Sequence, residues 1–235
     1  MTAAPEDLVS RFLSADLRTL IIRVLVAASR VGAGVRADDI TEFLESSFGV
    51  FLRRQAGAAG WDRRLFEEAL DNLVRHGLIA RVEGGQLELT DLGRLAGESA
   101  VEVESLIRAV ACLRRLRGQD VTDPVLIAIS QTSVELDGVF LPMNRKSTQK
   151  EPQHWMSELQ GQAIAYAVLD HLGLNITNNA QGTLRAKKAV ACLYYVSGMG
   201  MEQIEGAMRK PFRSRQGGTG THPRLFLGAK RYRPS

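Results

Sequence analysis

Apolar positions recur at helical spacing along most of the chain. Leu17, Leu20, Ile21, Val24, Leu25 and Ala28 fall at i, i+3, i+4 intervals and predict an amphipathic helix, ended by Gly32 and Gly34. A second helix starts near Ala37 and carries Ile40, Phe43 and Leu44. A loop rich in Ala and Gly, 55–60, leads to a third helix. There Asp62 is the expected N-cap, and Phe66, Ala69, Leu70, Leu73 and Val74 form the core face. Gly77 stops it. The period then changes. Residues 78–82 and 87–89 are short apolar-polar runs on either side of Glu83-Gly84-Gly85-Gln86, which predicts two strands about a Gly-Gly turn. Three helices and such a hairpin make a winged helix.

Helical spacing resumes at Thr90-Asp91. A longer helix, 101–117, places Val103, Leu106, Ile107, Val110 and Leu113 inward, and Asp123-Pro124 opens the next, with proline where its missing N–H costs nothing. Residues 138–154 are polar and carry proline, so they predict an extended excursion. Helical stretches follow near 155–172, 182–197 and 200–209. The expected fold is mainly α: a leading linker over 1–16, a winged-helix domain over 17–98, a helical bundle over 99–208, and a basic disordered tail over 209–235.

Charge refines this picture. The 235 residues carry a net charge of +4 and a pI near 9.3. Residues 1–117 hold 16 Arg, no Lys and 17 acidic residues. Eight basic residues and no acidic one follow Met208, so without that tail the net charge becomes −4. Any nucleic-acid site in the body must therefore be a local patch. No apolar run reaches the roughly 20 residues of a membrane span, and the N-terminus lacks a signal-peptide pattern, so a cytoplasmic protein is expected. Cys112 and Cys192 sit in apolar helical patterns and read as buried free thiols. The four His lack ligand spacing. Gly217 to Thr221 has the glycines of a phosphate loop, but His222 and Pro223 stand where its Lys and helix should be. No independent catalysis and no cofactor are expected.

Several segments together resemble a known family. Residues 66–90 read FEEALDNLVRHGLIARVEGGQLELT and run into Asp91-Leu92-Gly93-Arg94; residues 99–116, 122–146 and 186–208 follow in a familiar order. They resemble the C-terminal region of superfamily-2 DEAD/DEAH-box-type helicases, a winged helix plus a ratchet domain. That group includes the exosome-associated and archaeal ratchet helicases and the helicase half of polymerase theta. Two features depart from it: Tyr194-Tyr195 stands where the family often has Trp, and the tail after Lys210 does not match. The resemblance implies docking on RecA-like motor domains absent from this chain, which would supply ATP and Mg²⁺. It also implies a contact with single-stranded DNA or RNA.

On the 182–197 helix, Arg185, Lys188, Cys192 and Tyr195 share one stripe, with Lys187 adjacent. Cations neutralise phosphates and an aromatic face stacks a base, as strand contact requires. The same spacing equally describes an amphipathic helix with a solvated basic end and Tyr195 in the core. Arg145 and Lys146 form a basic loop, open to phosphate contact or simply solvated. Arg63, Arg64 and Arg75 lie on the third helix with Glu67, Glu68 and Asp71 opposing them. That helix would enter a major groove if the chain were instead a winged-helix transcription regulator with a helical effector or dimerisation domain.

Overall fold

The computed structural model describes residues 16–32, 34–55, 57, 62–143, 151–174 and 180–209, without the Arg53 side chain. Arg145, Lys146 and the basic tail beyond Arg209 lie outside the described residues. The chain forms two compact units, Met1–Ile107 and Arg108–Ser235.

The first unit is a winged helix. Helix α1 (Leu17–Arg30) is capped by the Asp16 carboxylate, which accepts from the Arg18 amide. Strand β1 (Val35–Arg36) leads into α2 (Ala37–Glu45) and α3 (Phe48–Gln55), and α4 (Arg63–Arg75) follows. Strands β2 (Ile79–Arg81) and β3 (Gln86–Leu89) pair antiparallel, with Ile79 opposite Leu89, and β1 adds to the far edge of β3. Gly84 and Gly85 both take positive φ, 78° and 76°, at the tip of the hairpin, a backbone that side-chain-bearing residues avoid. Helix α5 (Asp91–Glu98) starts directly off β3, with the Thr90 hydroxyl accepting from the Gly93 amide. Ile21, Ile22, Leu25, Ile40, Leu44, Phe66, Leu70, Leu73, Leu78 and Leu87 fill the core. The Thr19 hydroxyl accepts the buried Val103 N–H at 2.8 Å, which ties the start of α6 (Val103–Leu113) to α1.

The second unit is helical. It holds the end of α6, then α7 (Asp123–Ser130), α8 (Glu151–Gly161), α9 (Tyr166–His171), α10 (Ala180–Val196) and α11 (Met201–Arg209). Ala186, Ala189 and Val190 of α10 meet Trp155 and Leu159 of α8 in the core. The small residues let the two backbones approach closely.

The mainly helical architecture, with a winged helix preceding a helical region, agrees with the expectation. Several details differ. Helix α3, between the second helix and the loop expected over 55–60, was not anticipated; its Phe48, Val50 and Phe51 give it helical spacing, but it is only eight residues long. The stretch 155–172 is two helices, because Ala163 adopts φ 59° and turns the chain after α8. Val74 and Leu113 flank their helices' core faces rather than lie on them, and are each 37% exposed. Cys112 is buried and its thiol is pushed up to about 11 by burial, whereas Cys192 is exposed.

Candidate nucleic-acid interface

Helix α4 occupies the recognition position of the winged helix. It is the last helix before the hairpin, and Phe66, Ala69, Leu70 and Leu73 anchor one face in the core. The opposite face is open. The Asp62 carboxylate caps the helix, accepting from the Arg64 amide at 2.9 Å. Arg63 and Arg64 then occupy the first turn, where the helix dipole favours acids over cations. Nothing in local helix stability asks for two arginines there.

Three exposed cations of this surface have a carboxylate close by. Arg63 reaches Asp38 of α2 at 2.9 Å, Arg64 reaches Glu68 one turn on at 3.5 Å, and Arg81 of β2 reaches Asp71 at 2.7 Å. Both members of every pair are more than half exposed. Such pairs contribute about 0–1 kcal/mol each and are screened by salt. They can exchange a carboxylate for a phosphate or a base edge at little cost. Three arginines and three carboxylates share α4, so the face attracts polyanions weakly and leaves discrimination to specific contacts.

The α10 residues behave differently. Arg185 forms a two-pronged ion pair with Asp137, at 2.9 and 2.8 Å, and is mostly covered. Burial by itself raises the Asp137 pKa, but hydrogen bonds from Arg185, Gln181 and Arg108 outweigh it and hold the carboxyl below its ordinary value. Lys188 is 5% exposed and donates to the Leu136 carbonyl. Burial lowers its pKa, and neighbouring Arg185 pushes the same way. Lys187 is 1% exposed. Its ammonium pairs with Glu151 at 3.1 Å, donates to the Pro142 carbonyl and lies 5.6 Å above the Trp155 ring. These three cations thus strap residues 136–142 and the start of α8 to α10. Tyr195 is exposed, while Tyr194 packs against the core and donates to Glu158 at 3.1 Å; burial, then the Glu158 charge, pushes its phenol up to about 12.

The stripe expected to carry a strand therefore has its cations covered, and only Cys192 and Tyr195 are exposed. Sequence reasoning missed the counter-charges. Asp137 lies 48 residues from Arg185, and no local spacing announces it. Glu151 fell in the stretch 138–154 expected to be extended, so it was seen neither as the start of α8 nor as the partner of Lys187.

Among the described residues, no group of three or more His, Cys, Asp or Glu is placed to hold a metal. No helix among them is long and apolar enough to cross a membrane.

A family model described as "Transcriptional regulator, AbiEi antitoxin" matches residues 38–83, from the first turn of α2 through α4 and β2 to the hairpin turn. No curated protein and no solved structure matches the chain. The family match corrects the helicase resemblance. The N-terminal region is similar to a transcriptional regulator, not to a helicase C-terminal region, and RecA-like motor domains are not its indicated partners. The resembling features, a Gly-stopped helix, a short hairpin and a Thr-capped helix, belong to winged helices in general.

Proposed function

We propose that this chain is a winged-helix DNA-binding transcriptional regulator. The observation that carries it is the matched segment itself, which ends the helix-turn-helix in an α4 with an open, Arg-led first turn and a β-hairpin beside it. In winged-helix docking the N-terminal residues of the recognition helix contact base edges. Arg63 and Arg64 hold that position. Arg can bond the acceptor pair of guanine in the major groove with both prongs. Arg75 and Arg81 supply flanking cations, and the tail beyond Met208, with eight basic residues, adds attraction without sequence preference. The helical unit is the effector or dimerisation part. The word antitoxin in the matched description adds one expectation, a toxin protein as partner.

The test is selection of duplex sites from a random library, followed by anisotropy on the selected duplex and on its single strands over a salt series. Duplex should bind preferentially. Arg63→Ala and Arg64→Ala should each weaken the selected site by roughly 10- to 100-fold, as loss of a two-pronged base contact does. Removing residues after Lys210 should flatten the salt dependence and leave the site preference intact. Equal or tighter binding to single strands, or indifference to both α4 substitutions, would remove the reading.

A further inference from the structure

The α2–α3 corner exposes three phenylalanines: Phe43 at 55%, Phe48 at 59% and Phe51 at 51%. Phe48 and Phe51 stack on each other with ring centroids 6.2 Å apart, so α3 presents a joined aromatic surface. Single exposed apolar residues are ordinary, but clustered large aromatics on a small unit mark a contact surface. The charges beside them are segregated by helix. Helix α2 carries Asp38, Asp39, Glu42 and Glu45 and no cation; α3 carries Arg53 and Arg54 and no acid.

That separation is self-complementary. A second copy related by a two-fold axis sets α2 of one protomer beside α3 of the other, twice, because an isologous contact pairs each element with the other in both directions. Acid then meets base on both sides of an aromatic centre. A partner of uniform charge would satisfy one helix and repel the other. We infer that the α2–α3 corner is a homodimer contact, in which Phe48 and Phe51 form the apolar centre and the acidic α2 faces the basic α3 of a second copy. This goes beyond the DNA-binding reading and stands without it.

The area available bounds the strength. About half of each ring is open, roughly 300 Å² for the three side chains, against about 800 Å² per partner in a standard stable interface. The dimer is therefore concentration-dependent, with dissociation in the micromolar range or weaker.

Sedimentation equilibrium of the full chain at low salt, from micromolar to several hundred micromolar, tests this. A monomer–dimer equilibrium is expected. Phe48→Ser with Phe51→Ser should weaken it by on the order of 30-fold or more, the loss typical of a central aromatic anchor. Both rings are on the surface, so circular dichroism should show an unchanged fold. Two charge-reversed proteins give the decisive arm: Glu42→Lys with Glu45→Lys, and Arg53→Glu with Arg54→Glu. Each should be monomeric alone: with Arg53→Glu and Arg54→Glu both helices are acidic, and with Glu42→Lys and Glu45→Lys the two lysines offset Asp38 and Asp39, so α2 no longer attracts the basic α3. Mixed in equal amounts they should form a heterodimer. A wild-type chain that stays monomeric throughout overturns the inference. So does a dimer insensitive to the phenylalanine changes, or a mixture that fails to pair.

Discussion

Lys187→Met is expected to destabilise the helical unit by about 3–5 kcal/mol, the loss typical when one member of a buried ion pair is removed. The reason lies in what remains. Glu151 is 0% exposed and its Oε1 atom accepts from both Lys187 and the Trp155 indole N–H, at 3.1 and 3.2 Å. Without the ammonium the buried carboxylate loses the counter-charge that Lys187 supplies, and the Pro142 carbonyl loses its donor. Adding Glu151→Gln should recover part of the loss, since the amide oxygen still serves Trp155 while the buried charge is removed. Urea unfolding followed by Trp155 fluorescence, with Trp61→Phe as background, isolates this unit from the winged helix. A loss below about 1 kcal/mol would mean that Lys187 faces solvent, and would return it to the pool of cations free to bind phosphate.

Why that residue was misread from sequence is itself physical. Helical spacing gives the angular position of a side chain, not what packs against it. Ala186, Ala189, Val190 and Leu193 mark one core-facing sector of α10. Lys187 falls beside that sector and Lys188 on the far side of the helix, where a cation is ordinarily read as solvated. They are buried because residues 136–142 and the start of α8 cover them, and that covering is tertiary. Arg185 is held in the same way by Asp137. Lysine and arginine have stems long enough to pass an apolar neighbour and reach a carbonyl or carboxylate beyond it. Charge on a helix face therefore identifies a ligand contact only once the opposing surface is known.

The winged helix was legible to a greater depth because its signals are local. The Asp62 cap, the Gly77 stop, the Gly-Gly turn and the Thr90 cap each act within a few residues, and each stands where the spacing placed it. Helix α3 was not legible, since eight residues beside an Ala- and Gly-rich loop carry too short a period to separate from a turn. The aromatic surface on α3 was lost with it. The specific function followed a different rule. A Gly-stopped helix, a hairpin and a capped helix are what any winged helix needs for its own stability, so they carry the fold and say nothing about a motor domain. Discrimination rests on α4, whose mixed charge the sequence displays but whose open face only the structure shows.

Gly93→Ala should have the second large effect, a loss of about 3 kcal/mol in the winged helix, at the upper end of what one added methyl in a packed site costs. A Cβ built on Gly93 would stand 1.9 Å from the Leu78 carbonyl oxygen and 2.9 Å from its carbon. Those are backbone atoms at the root of β2, so no rotamer change relieves the clash; α5 or the strand has to move. The same carbonyl accepts from the Thr90 amide and the Thr90 hydroxyl, both at 3.1 Å, so separating them breaks the junction that seats α5 on the hairpin. Gly206→Ala in α11 serves as control: nothing lies within 4 Å of its added carbon, and an alanine there should stabilise by up to about 1 kcal/mol through helix propensity. Thermal unfolding of both variants measures the contrast. The consequence reaches the proposed function, because β2 and β3 carry the wing and Arg81. A folded Gly93→Ala protein with a displaced hairpin should keep the α4-dependent preference for its selected duplex and lose affinity at flanking positions. Unchanged stability would show that α5 does not rest on Leu78, and would detach the wing from the helix that is argued to hold it.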